Sequence, residues 1–129
     1  MSSTYKEATV KGWSGIILVA TAGVHFVFGI VQYGGPLREI VADGVLNAIG
    51  NDPARLTAFW FFFFGFVLAL LGQVLFWIER RMGRWPPAFL GWQMLGVATL
   101  GGVAIPTSGF WLVVPQAIYI IVAAKKHKV

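Results

Sequence analysis

Four stretches of this chain are apolar around the whole helical circumference, and most of the polar residues collect in the joints between them. The longest, residues 56–78, runs 23 positions without a charge and is followed at once by Glu79, Arg80 and Arg81. As an α-helix it covers about 35 Å, enough for a hydrocarbon core of about 30 Å. A first run, 13–33, is opened by Trp13 and closed by Tyr33, aromatic ends that suit the two interfaces of a bilayer. A third, 88–105, begins after Pro86-Pro87. A fourth, 110–124, follows the turn Pro106-Thr107-Ser108-Gly109 and carries Pro115 one turn in, where a kink is expected. This last run is short, so Lys125, Lys126 and Lys128 are expected to reach along it to the interface.

Between the first two runs the pattern changes. Gly34-Gly35-Pro36 is expected to break the helix. Residues 36–49 then place Leu37, Ile40, Val41, Val45 and Ala48 on one helical face, with Glu39, Asp43 and Asn47 opposite. That segment is too short and too polar to span, and reads as an amphipathic helix lying on the membrane surface or capping the bundle mouth. Gly50-Asn51-Asp52-Pro53 is a turn. The basic start and Ala20-Thr21-Ala22 imitate a signal peptide with its cleavage site, but the apolar run continues to Val31, so a span is the better reading.

Helices in lipid associate through close packing of small residues. The first run offers Gly15, Ala22 and Gly29 at seven-residue spacing, the second Ala58, Gly65 and Gly72, and the third Gly91, Ala98 and Gly102. These seams predict a left-handed four-helix bundle, one all-α transmembrane domain over residues 1–129 with the interfacial helix between spans one and two.

Composition agrees. Of 129 residues 57% are hydrophobic and 12% charged, with a mean hydropathy of +0.74, outside the soluble range. Four spans leave no room for a separate soluble catalytic domain. The lack of cysteine removes disulfides and thiolate chemistry. The net charge of +5 sits beside the spans and not along a solvated face, so the partner it implies is the bilayer and not nucleic acid. Lys6, Lys11, Arg80, Arg81, Arg84, Lys125, Lys126 and Lys128 fall on one side, and only Arg38 and Arg55 on the other. By the positive-inside tendency both termini face the cytoplasm.

His25 is the one ionisable side chain deep in a span, and it lies on a stripe with Ser14, Thr21 and Gln32 beside the first small-residue seam. Counting from the span ends puts His25, Gln116 and Tyr119 in one outer layer, with Ser108 in the turn above. Gln73 and Gln93 share an inner layer, where an interhelical hydrogen bond between them is expected. A neutral imidazole that merely holds two helices in register competes with a ligand-binding role for His25. A second intramembrane histidine, cysteine or carboxylate is missing, so no metal site and no cofactor is expected. A haem would need one axial ligand only or a His25 pair across a dimer. No nucleophile–base pair, phosphate loop or carboxylate pair stands at a catalytic spacing, so no catalytic residue is assigned.

Trp13-Ser14-Gly15, Gly23-x-His25 with Gly29, Ala58-x-Trp60-Phe61 with Gly65 and Gly72, Leu90-Gly91 and Pro106-x-Ser108-Gly109-Phe110-Trp111-Leu112 resemble a family of small four-span bacterial membrane proteins of unknown function. The resemblance covers nearly the whole chain. It implies a bacterial inner-membrane bundle in which His25, Trp60, Ser108 and Trp111 converge at the outer end, and it implies no activity. The resulting expectation is a non-enzymatic membrane protein holding a hydrophobic or amphipathic small molecule, or a lipid, in an outward-facing pocket. His25 and Gln116 would supply polar contacts, and Trp60, Phe61, Trp111 and Tyr119 aromatic walls. An accessory subunit of a larger membrane complex or a homo-oligomer is the main alternative, followed by a haem-binding electron carrier.

Overall fold

The computed structural model describes residues 10–128 and is all helical in its regular elements. Lys6, Glu7 and the rest of the N-terminal tail lie outside the described residues. The helices are α1 (Trp13–Ala42), α2 (Pro53–Arg80), α3 (Ala88–Ala104) and α4 (Val113–Lys126), the last introduced by a 3-10 turn, Gly109–Leu112. α1, α2 and the segment Gly109–Lys126 are long and apolar enough to cross a membrane. α3, equally apolar, has 17 residues and measures about 25 Å.

Small residues set the packing. All nine seam glycines and alanines of α1, α2 and α3 are buried. A Cβ on Gly15 would stand 2.3 Å from the Phe76 backbone nitrogen, and one on Gly72 2.8 Å from the Val19 nitrogen, so α1 and α2 touch backbone to backbone. Gly91 does the same for α3 and α4, where its Cβ would meet the Ala117 carbonyl oxygen at 2.9 Å. The two antiparallel hairpins join through α1 and α4 around a core of Leu18, Ala22, Leu68, Leu75, Met94, Ala117 and Ile120. α2 and α3 do not pack extensively on each other, which leaves the bundle open along that side.

The joint after the first span differs from expectation. Gly34-Gly35-Pro36 does not end the helix. α1 continues through it with a kink at Tyr33, where φ −117° and ψ 18° absorb the proline ring and the hydrogen bond it cannot donate. The helix then stops at Ala42 instead of residue 49. Gly44, at φ 86°, closes a left-handed cap in which its N–H bonds the Val41 carbonyl (3.1 Å) and the Val45 N–H bonds that of Ile40 (2.9 Å). The amphipathic segment is thus a bent extension of α1, and residues 43–52 are turns. Arg55 ties them down through Asp43 (2.7 Å), Glu39 (3.4 Å) and the Ala48 carbonyl. The Asp43 hydrogen bond chiefly holds the guanidinium above its ordinary pKa. Asp52 caps α2 by accepting the Arg55 N–H at 2.9 Å, with Pro53 in the first helical position. Pro115 falls in the first turn of α4, where no i−4 bond is required, so the change of course precedes it in the 3-10 turn.

Candidate functional site

His25 stands on α1 one turn beyond Thr21 and faces α2. Its Nε2 lies 2.8 Å from the Phe61 carbonyl oxygen. A carbonyl only accepts, so Nε2 carries a proton, and in that tautomer Nδ1 is the nitrogen left as an acceptor. Nδ1 accepts no hydrogen bond from the described residues, and it is not fully buried. The imidazole stacks on Phe61 at 3.9 Å and 7°, and meets Phe64 edge-on at 5.7 Å; Phe64 in turn approaches Phe110 at 6.2 Å. Gly65 makes room, since a Cβ there would stand 3.0 Å from the imidazole and 2.8 Å from Phe26.

Gln116 reaches the same face of α1 from α4. Its Nε2 donates to Thr21 Oγ1 at 2.6 Å and to the Leu112 carbonyl at 3.0 Å, while the Thr21 hydroxyl donates to the Ile17 carbonyl at 2.9 Å. Both amide hydrogens are therefore used. Oε1 is buried without a donor, in a side chain only 9% exposed. Exchanging the amide oxygen and nitrogen would bring Oε1 against the Leu112 carbonyl, so the orientation is chemically determined. The hydroxyls of Ser14 and Ser108 are also buried and unpartnered, but a hydroxyl rotates and a conjugated amide oxygen does not. His25 and Gln116 make no direct bond. Gln116 bonds Thr21, which lies four residues, or about 6 Å along the axis of α1, before His25.

The other expected members are dispersed. Tyr119 is exposed and bonds neither residue. Trp60 is 60% exposed and packs with Phe59 and Phe63 on the outer surface of α2. Trp111 lies over Gly102 and donates its indole N–H to the Pro106 carbonyl at 2.9 Å, while Phe110 covers Gly101. The Pro106–Trp111 motif is accordingly the device that closes the α3–α4 hairpin, with the Ser108 N–H bonding Ile105. The expected Gln73–Gln93 bond is absent. Both side chains are exposed because α2 and α3 do not face each other closely. Two surface grooves lie away from His25. One runs along α3 beside Trp92 and Gly96, the other between α1 and α2 near Arg81.

Glu79 is the residue that sequence reasoning passed over. It is 1% exposed, and its carboxylate accepts the N–H groups of Ser14 (3.2 Å) and Gly15 (3.1 Å) at the start of α1. Gly12, in the left-handed region at φ 75°, offers no capping side chain, so a carboxylate from α2 takes that place. The signal was present, for Glu79 continues the Ala58, Gly65, Gly72 seam by one more heptad. Among the described residues no group of three His, Cys, Asp or Glu side chains is placed to hold a metal ion.

No curated protein and no solved structure matches the chain. A family model does match, over residues 9–127, and by that match the chain belongs to the Family of unknown function DUF6463.

Proposed function

We propose that this protein is a multi-pass membrane protein that binds an amphipathic small molecule or lipid at His25 and Gln116, and that the bound molecule offers a hydrogen-bond donor. The observation that carries this reading is the pair of unused acceptors. Oε1 of Gln116 is buried without a donor, and Nδ1 of His25, less buried, accepts none from the described residues, while Phe61 and Phe64 supply apolar surface beside the imidazole. The buried Gln116 acceptor costs about 1–3 kcal/mol while it lacks a donor, and a hydroxyl or amine between α1 and α4 would recover it. A carbonyl or carboxylate would not. The charge balance, with both termini on the basic side, supports a site in the outer half of a bacterial inner membrane.

Native mass spectrometry of protein purified in mild detergent tests this. A discrete retained mass that disappears in both His25→Ala and Gln116→Met, with helicity and elution volume unchanged, is the expected result. Gln116→Met keeps the His25–Phe61 tie, so a loss confined to His25→Ala would instead mark that residue as a helix clamp, and a mass retained in both variants would overturn the assignment.

One observation favours a second reading, an accessory subunit of a larger membrane complex. The open side between α2 and α3 and the exposed Phe59, Trp60 and Phe63 present an aromatic face of the kind that a partner helix covers. A stoichiometric companion chain after gentle solubilisation would decide for it.

A further inference from the structure

We propose that the groove between the basic-end halves of α1 and α2 seats one anionic phospholipid, its acyl chain in the trough and its phosphate at Arg81. Ile16 and Val19 form one wall, Phe76 and Trp77 the other, with Gln73 and Arg81 as the polar members. The trough exists because Gly15 and Gly72 bring the two backbones into contact and put nothing over the seam. Its lining is apolar except at Gln73 and Arg81, which is the polarity of an acyl chain capped by a charged group.

The charges choose among lipids. Arg81 occupies the C-cap of α2 and has no carboxylate partner among the described residues. Glu79, the nearest acid in sequence, is turned inward and engaged by Ser14 and Gly15. Arg80 lies across Gly12, so Arg81 is the guanidinium left to the groove. A guanidinium binds phosphate through paired N–H donors, and Trp77, one turn deeper, is the residue type that populates the interfacial belt. No carboxylate lines the trough to pair with the positive headgroup of a zwitterionic lipid, and Arg81 at the mouth repels it. The site is separate from His25, which lies about two to three turns further along α1.

The test uses the full chain in mild detergent with an equimolar mixture of phosphatidylglycerol and phosphatidylcholine of matched acyl chains, read by native mass spectrometry. One phosphatidylglycerol adduct is expected, preferred by about fivefold or more, because the phosphate contact is common to both lipids while choline brings a like charge toward Arg81. Arg81→Gln should abolish the preference. Ile16→Trp, which fills the trough without altering charge, should remove the adduct, and Arg84→Gln, outside the groove, should leave it. Equal retention of the two lipids would overturn the proposal, as would an Arg84→Gln loss equal to that of Arg81→Gln, which marks diffuse attraction at a basic rim. A lipid-free dimer would assign the groove to a second copy of the chain and overturn it as well.

Discussion

Replacing Glu79 is the most informative perturbation of the fold, because one side chain closes the first turn of another helix. Its two oxygens accept N–H groups at 3.2 and 3.1 Å, and both bonds are buried. Bonds to a charged acceptor contribute about 1.5–3 kcal/mol each, and the positive end of α1 adds up to about 2 kcal/mol in buried geometry, against which the cost of desolvating the carboxylate must be set. Glu79→Ala should therefore cost about 2–5 kcal/mol. Glu79→Gln keeps one acceptor oxygen but turns an NH2 toward the second N–H, and should cost about half as much. Glu79→Asp keeps the charge but retreats by a methylene, so neither N–H is reached and its cost should approach that of alanine. The order wild type, Gln, Asp, Ala separates hydrogen bonding from simple charge attraction, which would rank Asp above Gln. Titration from mild detergent into dodecyl sulfate, followed by far-UV circular dichroism and linear extrapolation, gives the four stabilities. An alanine variant within about 0.5 kcal/mol of wild type, or aspartate outlasting glutamine, would refute the reasoning.

Two further outcomes follow from the same contacts. Gly15→Ala places a methyl 2.3 Å from the Phe76 nitrogen and 2.5 Å from its Cα, so the hairpin must open and about 1–3 kcal/mol is lost. Gly96→Ala meets nothing within 4 Å and should gain up to about 1 kcal/mol from helix propensity, so equal effects at the two positions in the same titration would contradict the packing of α1 on α2. Arg55→Ala removes the ties to Glu39, Asp43 and the Ala48 carbonyl, and should speed amide exchange across residues 43–52 while leaving the middle of α2 unchanged.

Helix packing was legible in the sequence because it rests on a local rule. Small residues seven apart lie on one face, and in lipid that face is the one helices share, so Gly15, Ala22 and Gly29 and their counterparts could be assigned from spacing alone. Helix ends were less legible. Asp43-Gly44 reads as part of an amphipathic period, whereas the left-handed Gly44 stops the helix there. Gly34-Gly35-Pro36 reads as a break, whereas a kink at Tyr33 suffices. Polar pairs across the bundle were least legible, since depth alone put Gln73 beside Gln93 and left open which helices are neighbours. The same limit applied at the candidate site. Matching depth associated His25 with Gln116, but not the intervening Thr21, and it could not reveal that Nε2 of His25 is already engaged by a backbone carbonyl.

In lipid, apolar contact between helices carries no hydrophobic drive, so the distribution of polar ties indicates which parts move together. α1 and α2 are tied by Glu79 near the basic end, and by His25 and the Arg55–Glu39 ion pair toward the other, with the glycine seam between them. α3 and α4 are closed by Phe110 and Trp111 folding onto Gly101 and Gly102. Between the two hairpins the side-chain hydrogen bond from Gln116 to Thr21 is the polar tie among the described residues. Each hairpin is thus a body, and Gln116 is the joint between them. A donor that satisfied Gln116 Oε1 would do so at that joint, where binding and the spacing of the hairpins act on one side chain. Thr21→Val, which removes the partner hydroxyl but no volume, is then expected to loosen α4 against α1 while α1 and α2 remain paired. Spin-label distances between residues 17 and 118 should broaden, and those between residues 17 and 74 should not. Equal broadening of both pairs would show that the hairpins are not separate bodies.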